Sequence, residues 1–91
     1  MNRIAIQTVG SKAGWVATVT VTDSVSSRTF EVAVTEAEVA HLDAGAAGPE
    51  GLIARTFEFL LAREPKESIL PKFDLQVVGR YFPEFEQEIR R

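Results

Sequence analysis

Cysteine is absent from the 91 residues of this chain, and histidine, methionine, tryptophan and tyrosine occur once each. Without cysteine, disulfide scaffolds, cysteine-ligated zinc, iron–sulfur clusters and thiol catalysis are excluded. No apolar run approaches the roughly 20 residues of a membrane span, and no apolar signal segment follows Met1. We therefore expect a cytoplasmic protein without a membrane partner, whose stability depends on its hydrophobic core.

Neither sign of charge dominates the chain. Ten lysine and arginine residues stand against thirteen aspartate and glutamate residues, so the formal net charge is −3 at pH 7. Proteins that wrap nucleic acid or adhere to anionic membranes usually carry a large positive excess, which this chain lacks. Hydrophobic residues make up 45% and charged residues 25%, as in an ordinary globular protein. The length is that of one domain, residues 1–91.

The first part of the chain alternates apolar and polar residues, which predicts β-strands. Trp15–Thr22 is the clearest example, and shorter runs of the same kind lie around Ile4 and at Phe30–Val34. Loops of turn-forming residues join these runs, so we expect a three-stranded antiparallel meander with Trp15–Thr22 in its centre. The outer two strands are then the edges of the sheet. The core-facing residues of the central strand are Trp15, Ala17, Val19 and Val21.

Helical signals replace the alternation after the third strand. Thr35 and Glu38 have the spacing of a capping box, which predicts a short first helix. A linker of small residues at 43–48 follows it. Pro49 is then suited to the first position of a main helix that continues to Arg63.

Prolines divide the remaining chain into short segments, because proline disrupts a helix and restricts the residue before it. Further helical segments are predicted at 65–70, 75–82 and 84–90. The predicted fold is therefore α+β. A β-meander at 1–35 is followed by a helical part at 36–91, in which four or five helical segments pack on one face of the sheet.

The sequence offers no recognisable catalytic, metal or cofactor site. His41 is the only histidine, and a helix directs residues His41 and Asp43 to different sides. The glycines at 10–14 lie in a turn between strands, not in a phosphate-binding loop that opens a helix. The acidic residues lack the converging spacing of metal ligands. We therefore predict a protein that is not an enzyme and holds no cofactor.

A candidate interaction surface lies on one side of the main helix. Arg55, Phe59 and Arg63 recur every four residues, and Arg80 and Tyr81 join them if the later helices fold back. An exposed basic and aromatic surface of this kind suits an acidic partner or a nucleic-acid backbone. The alternative is that the arginine stems pack over Phe59 while their charged ends reach water.

Residues 28–63 resemble a ribbon-helix-helix DNA-binding unit: a strand, a capped helix, a glycine-containing turn and a second helix. The resemblance implies that the strand pairs with its copy in a second subunit. It also implies that the outward residues Thr29, Glu31 and Ala33 enter the major groove of DNA.

A second resemblance covers Thr56–Leu70, Phe73–Leu75 and Arg80–Phe85, which look like a group of short, uncharacterised bacterial proteins. It implies no activity and no site. The predicted function is a small binding module whose partner is another protein, or a second copy paired through an edge strand. The alternative is a regulator associated with nucleic acid.

Overall fold

A computed structural model describes residues 2–42 and 48–90 of the chain. The predicted linker lies mostly outside the described residues. The strands are β1 (Arg3–Gly10), β2 (Gly14–Thr22), β3 (Ser27–Thr35) and β4 (Lys72–Asp74). The helices are α1 (Glu36–Leu42), α2 (Gly48–Leu61), α3 (Gln76–Tyr81) and α4 (Phe85–Ile89), with a 3₁₀ turn at Lys66–Ser68.

The strands form one four-stranded sheet in the order β1-β2-β3-β4. The predicted antiparallel meander is confirmed, because β2 pairs with β1 on one side and with β3 on the other. Side chains alternate as predicted: Ala17, Val19 and Val21 are fully buried beneath the helices, and Trp15 is half-buried. The general α+β class is therefore confirmed.

Strand β4 was not predicted. It pairs in parallel with β3: the amide of Glu31 donates to the carbonyl of Pro71 (2.8 Å), and the amide of Leu75 donates to the carbonyl of Ala33 (2.9 Å). The prediction that Phe30–Val34 forms an edge is therefore wrong. Three residues are too few to show an alternation in the sequence, so only the pairing with β3 reveals this strand.

The junction between β3 and α1 has the predicted capping box. The amide of Glu38 donates to Thr35 Oγ1 (3.1 Å), and the amide of Thr35 donates to Glu38 Oε1 (2.8 Å). The β1–β2 turn packs closely against this junction. A Cβ atom on Gly14 would lie 2.2 Å from the carbonyl oxygen of Val34, so only glycine fits there.

Helix α2 lies on the core face of the sheet, nearest to β1. It ends two residues before the predicted Arg63, because the amides of Arg63 and Glu64 both turn back to the carbonyl of Leu60. The hydroxyl of Thr56 is buried and donates to the carbonyl of Leu52 (2.8 Å). The buried residues of α2 are Leu52, Ile53, Thr56, Phe57, Phe59 and Leu60.

Two groups of aromatic rings hold the helices to the sheet and to each other. The Phe57 ring lies 5.3 Å from that of Phe30 and 6.2 Å from that of Phe73, so it joins α2 to β3 and β4. The Phe59 ring contacts Phe82 (5.7 Å) and Phe85 (5.1 Å), which anchors the C-terminal segments. These contacts pack α2 against the sheet and the C-terminal segments against α2.

Candidate interaction surfaces

The predicted surface on α2 is built around Phe59, whose residue exposure is only 7%. The guanidinium carbon of Arg63 lies 3.6 Å from the centre of the Phe59 ring. Arg63 also donates to the carbonyl of Phe59 (3.1 Å). This is a packed cation–π pair, so these two residues follow the alternative in which the arginine covers the ring.

Acidic residues of α4 and its N-terminal end engage the same arginine. Glu84 Oε2 lies 3.4 Å from Arg63 Nε, and Glu88 Oε1 lies 3.8 Å from Arg63 Nη2. Arg55 is half-buried and donates to the carbonyl of Leu42 (3.4 Å). Arg55 and Arg63 are therefore committed to contacts within the chain, which leaves less positive charge available to a nucleic-acid backbone.

Arg80 and Tyr81, the other predicted residues, are exposed at the end of α3, and 69% of Tyr81 is accessible. Tyr81 lies at the side of a cavity of about 350 Å³, which we name the α2–α3 cavity. Its apolar walls come from Leu60, Ile69, Leu70, Phe73, Val77, Val78 and Phe82, and Glu64, Ser68 and Tyr81 add polar atoms. Sequence reasoning missed this cavity because four separate segments form it.

Lys66 does not contribute to a basic surface, because its side chain is only 3% exposed and both its ion pairs are internal. Its Nζ atom donates to Asp23 Oδ2 (2.6 Å) and to Glu67 Oε2 (2.7 Å). Asp23 Oδ1 in turn accepts from the amides of Val25 (2.8 Å) and Ser26 (2.9 Å). This group, the Lys66 cluster, ties the β2–β3 loop to the turn that precedes β4.

The Lys66 cluster shifts the titration of its members. The hydrogen bond from Lys66, followed by those from the Ser26 and Val25 amides, holds the pKa of Asp23 far below its ordinary 3.8. The hydrogen bond from Lys66 also lowers the pKa of Glu67 below 4.5. Hydrogen bonds to Asp23 and Glu67 raise the pKa of Lys66 above 10.5, so this amine is protonated at neutral pH. A protonated amine is neither a nucleophile nor a base.

His41 contacts a carboxylate, but not the one adjacent in sequence. Its Nε2 atom meets Glu86 Oε1, which links α1 to α4, and both side chains are more than half exposed. Asp43, which the sequence predicts to point to a different side of the helix from His41, lies outside the described residues. Across residues 2–42 and 48–90, no three acidic or histidine side chains are placed to hold a metal ion.

Strand β1 is an edge along its whole length, since β2 is its only neighbour among the described residues. The Ser11 amide donates to the Gly14 carbonyl (2.8 Å), which sets the alternation of hydrogen bonds along the hairpin. The odd-numbered residues of β1 bond to β2. The backbone groups that point to the free edge are those of Ile4, Ile6, Thr8 and Gly10.

Strand β3 is the strand that the ribbon-helix-helix resemblance pairs with its copy in a second subunit, but it lies inside the sheet of a single chain. Between Glu31 and Ala33, β3 has neighbours on both sides, so its backbone is not open to a second subunit there. Thr29, Glu31 and Ala33 do lie on the face of the sheet opposite α2, as their alternation with buried Phe30 and Val32 requires.

Comparison of the chain with protein-family models, curated proteins and solved structures gives no significant match. Within the part of the chain that the structure describes, no helix has the length and apolar character needed to cross a membrane. The most distinctive surfaces of the described residues are the β1 edge and the α2–α3 cavity.

Proposed function

We propose that this protein is a non-enzymatic interaction module that pairs with a second copy of itself through β1. The observation that supports the proposal is the free β1 edge: eight residues, paired regularly with β2 and without proline. Its single charged residue, Arg3, lies at one end. Natural monomers usually protect such an edge with lysine, proline, bulges or a covering segment, because an open edge pairs readily with another strand.

The sequence of β1 is suited to pairing with its own copy about a two-fold axis. An antiparallel pair centred on Ile6 keeps the outward-pointing backbone groups opposite one another. It places Ile4 opposite Thr8 of the second copy, and Arg3 opposite Val9 of the second copy. No like charges then face each other across the junction, which would otherwise destabilise the pair.

Pairing of this kind also covers apolar surface. Ile4 and Ile6 are half-buried at the margin of the core, beside α2. A second β1 strand extends the sheet to eight strands and covers the exposed sides of both isoleucines in each copy. The backbone hydrogen bonds supply affinity, and the matching side chains supply the register.

The proposal is tested by measuring molar mass with sedimentation velocity over a range of protein concentrations. The wild-type chain is expected to approach twice its 10.0 kDa mass as concentration rises. Thr8→Pro removes an amide that points to the free edge and leaves the bonds to β2 intact, so this variant is expected to be a folded monomer. Thr8→Val, which keeps the amide, is the matched control and should still associate.

Two results contradict the proposal. The first is a wild-type chain that stays monomeric at about millimolar concentration, where even weak association of roughly −4 kcal/mol is detectable. The second is association that survives Thr8→Pro but is lost in Thr20→Lys, a variant of the open face of β2. That result would place the contact on the face of the sheet.

A further inference from the structure

We propose that the α2–α3 cavity binds a small organic cation, an amine that carries an aromatic or branched aliphatic group. The cavity has a buried floor, formed by Leu60, Ile69 and Val78. Its volume of about 350 Å³ is within the range of pockets that hold small molecules, roughly 300–1,000 Å³. The apolar part of the ligand would occupy this floor.

Large apolar side chains continue from the cavity to the surface. Leu70 is 49% exposed and Tyr81 is 69% exposed, and both line the opening. Phe73 and Phe82 are half-buried beside them. A ligand seated here would cover aromatic and aliphatic surface that now faces water, which favours binding.

The charge of the ligand follows from Glu64. This glutamate is half-buried in the cavity wall, and its side chain has no hydrogen bond or ion pair within the described part of the chain. The nearest cations in sequence are held elsewhere: Arg63 by Glu84 and Lys66 by Asp23. The ammonium group of a ligand would therefore serve as the positively charged partner of the Glu64 carboxylate. Partial exclusion of water strengthens the attraction between the two charges.

Neighbouring groups also favour a positively charged ligand. Ser68 and Tyr81 also line the cavity: a serine hydroxyl accepts hydrogen bonds from ammonium groups, and aromatic rings attract cations. A ligand carboxylate would instead be repelled by Glu64. The cavity lies beside β4, at the opposite edge of the sheet from β1, so binding there does not depend on the proposed self-association.

The test compares three probes of similar shape in ¹H–¹⁵N NMR titrations: 2-phenylethylamine, 2-phenylethanol and 3-phenylpropionate. The amine is expected to shift the resonances of Ser68, Leu70, Val77 and Tyr81. We expect it to bind about fivefold more tightly than the alcohol, since partly exposed charge pairs contribute up to about 1 kcal/mol. The carboxylate should bind most weakly.

Variants separate the charge effect from the apolar effect. Glu64→Gln should reduce amine affinity to that of the alcohol while leaving alcohol binding unchanged. Glu58→Gln, at an exposed site on α2 outside the cavity, is the matched control and should preserve the preference for the amine. Val77→Phe narrows the cavity and should weaken all three probes, and its NMR spectrum shows whether the fold is retained.

Three outcomes overturn the proposal. The first is the absence of resonance shifts with the amine at about 10 mM, which excludes even millimolar binding. The second is equal affinity of the wild-type chain for the amine and the alcohol, which would make the cavity a neutral apolar groove. The third is equal loss of amine binding in Glu64→Gln and Glu58→Gln, which would reduce the preference to a general effect of net charge.

Discussion

Truncating Phe57 to alanine removes the side chain that joins α2 to the sheet. The residue is 0% exposed, and its ring lies between Phe30 on β3 and Phe73 on β4. Phenylalanine-to-alanine changes in a core cost roughly 3–5 kcal/mol, and each aromatic pair adds about 0.5–1.5 kcal/mol beyond area burial. Since paired strands on one side restrict collapse of the resulting cavity, we expect a loss of about 4 kcal/mol.

A loss of this size is a large part of the total stability. A chain of this length is expected to have a free energy of unfolding of roughly 5–14 kcal/mol. Urea denaturation of wild type and Phe57→Ala measures the difference, with the fluorescence of the single tryptophan, Trp15, as the signal. Far-UV circular dichroism should follow the same transition if unfolding is two-state.

Tyr81→Ala is the matched control, because it removes an aromatic ring that is mostly exposed. Its free energy of unfolding should lie within about 0.5 kcal/mol of the wild-type value. If Phe57→Ala changes the free energy of unfolding by less than about 1 kcal/mol with an unaltered denaturant slope, α2 does not pack on the sheet through this ring.

Two further predictions concern local contacts. The folded-state pKa values of Asp23 and Glu67 lie below their ordinary values of 3.8 and 4.5. The two carboxylates therefore contribute their full stabilisation of the folded state above those ordinary values, and this contribution is lost as the pH falls through the folded-state pKa values. The raised pKa of Lys66 adds stability that persists below pH 10.5 and is lost only as the pH rises through the folded-state value. Urea midpoints should therefore fall steeply below about pH 4 in wild type and less steeply in Asp23→Asn, and parallel profiles would contradict the role of the Lys66 cluster. Removing the capping hydroxyl with Thr35→Ala should cost about 1 kcal/mol in the same denaturation assay, and an unchanged free energy of unfolding would contradict its capping role.

The two surfaces proposed to bind partners are at opposite edges of one sheet, and their tests are independent. Loss of self-association in Thr8→Pro leaves the α2–α3 cavity unchanged, and Glu64→Gln leaves the β1 edge unchanged. Either proposal can therefore fail while the other is supported.

Sequence reasoning succeeded where the signal is local. The alternation at Trp15–Thr22 requires only that neighbouring side chains point to opposite faces, and the spacing of Thr35 and Glu38 requires only one helical turn. Pro49 likewise predicts the start of α2 to within one residue. Each of these features depends on backbone geometry over a few residues, so the amino-acid order alone determines the meander, the first helix cap and the main helix.

The tertiary structure decided everything that depends on contacts between distant segments. Strand β4 exists because residues about 40 positions apart in sequence pair in parallel. The Lys66 cluster forms because the β2–β3 loop contacts the turn before β4. The α2–α3 cavity forms because four separate segments line it. The spacing of Arg55, Phe59 and Arg63 was visible in the sequence, but α4 determined that Arg63 is held by acidic residues. The periodicity of the sequence indicates which side of a helix or strand a residue occupies, whereas only the packing of these elements determines which residues it contacts.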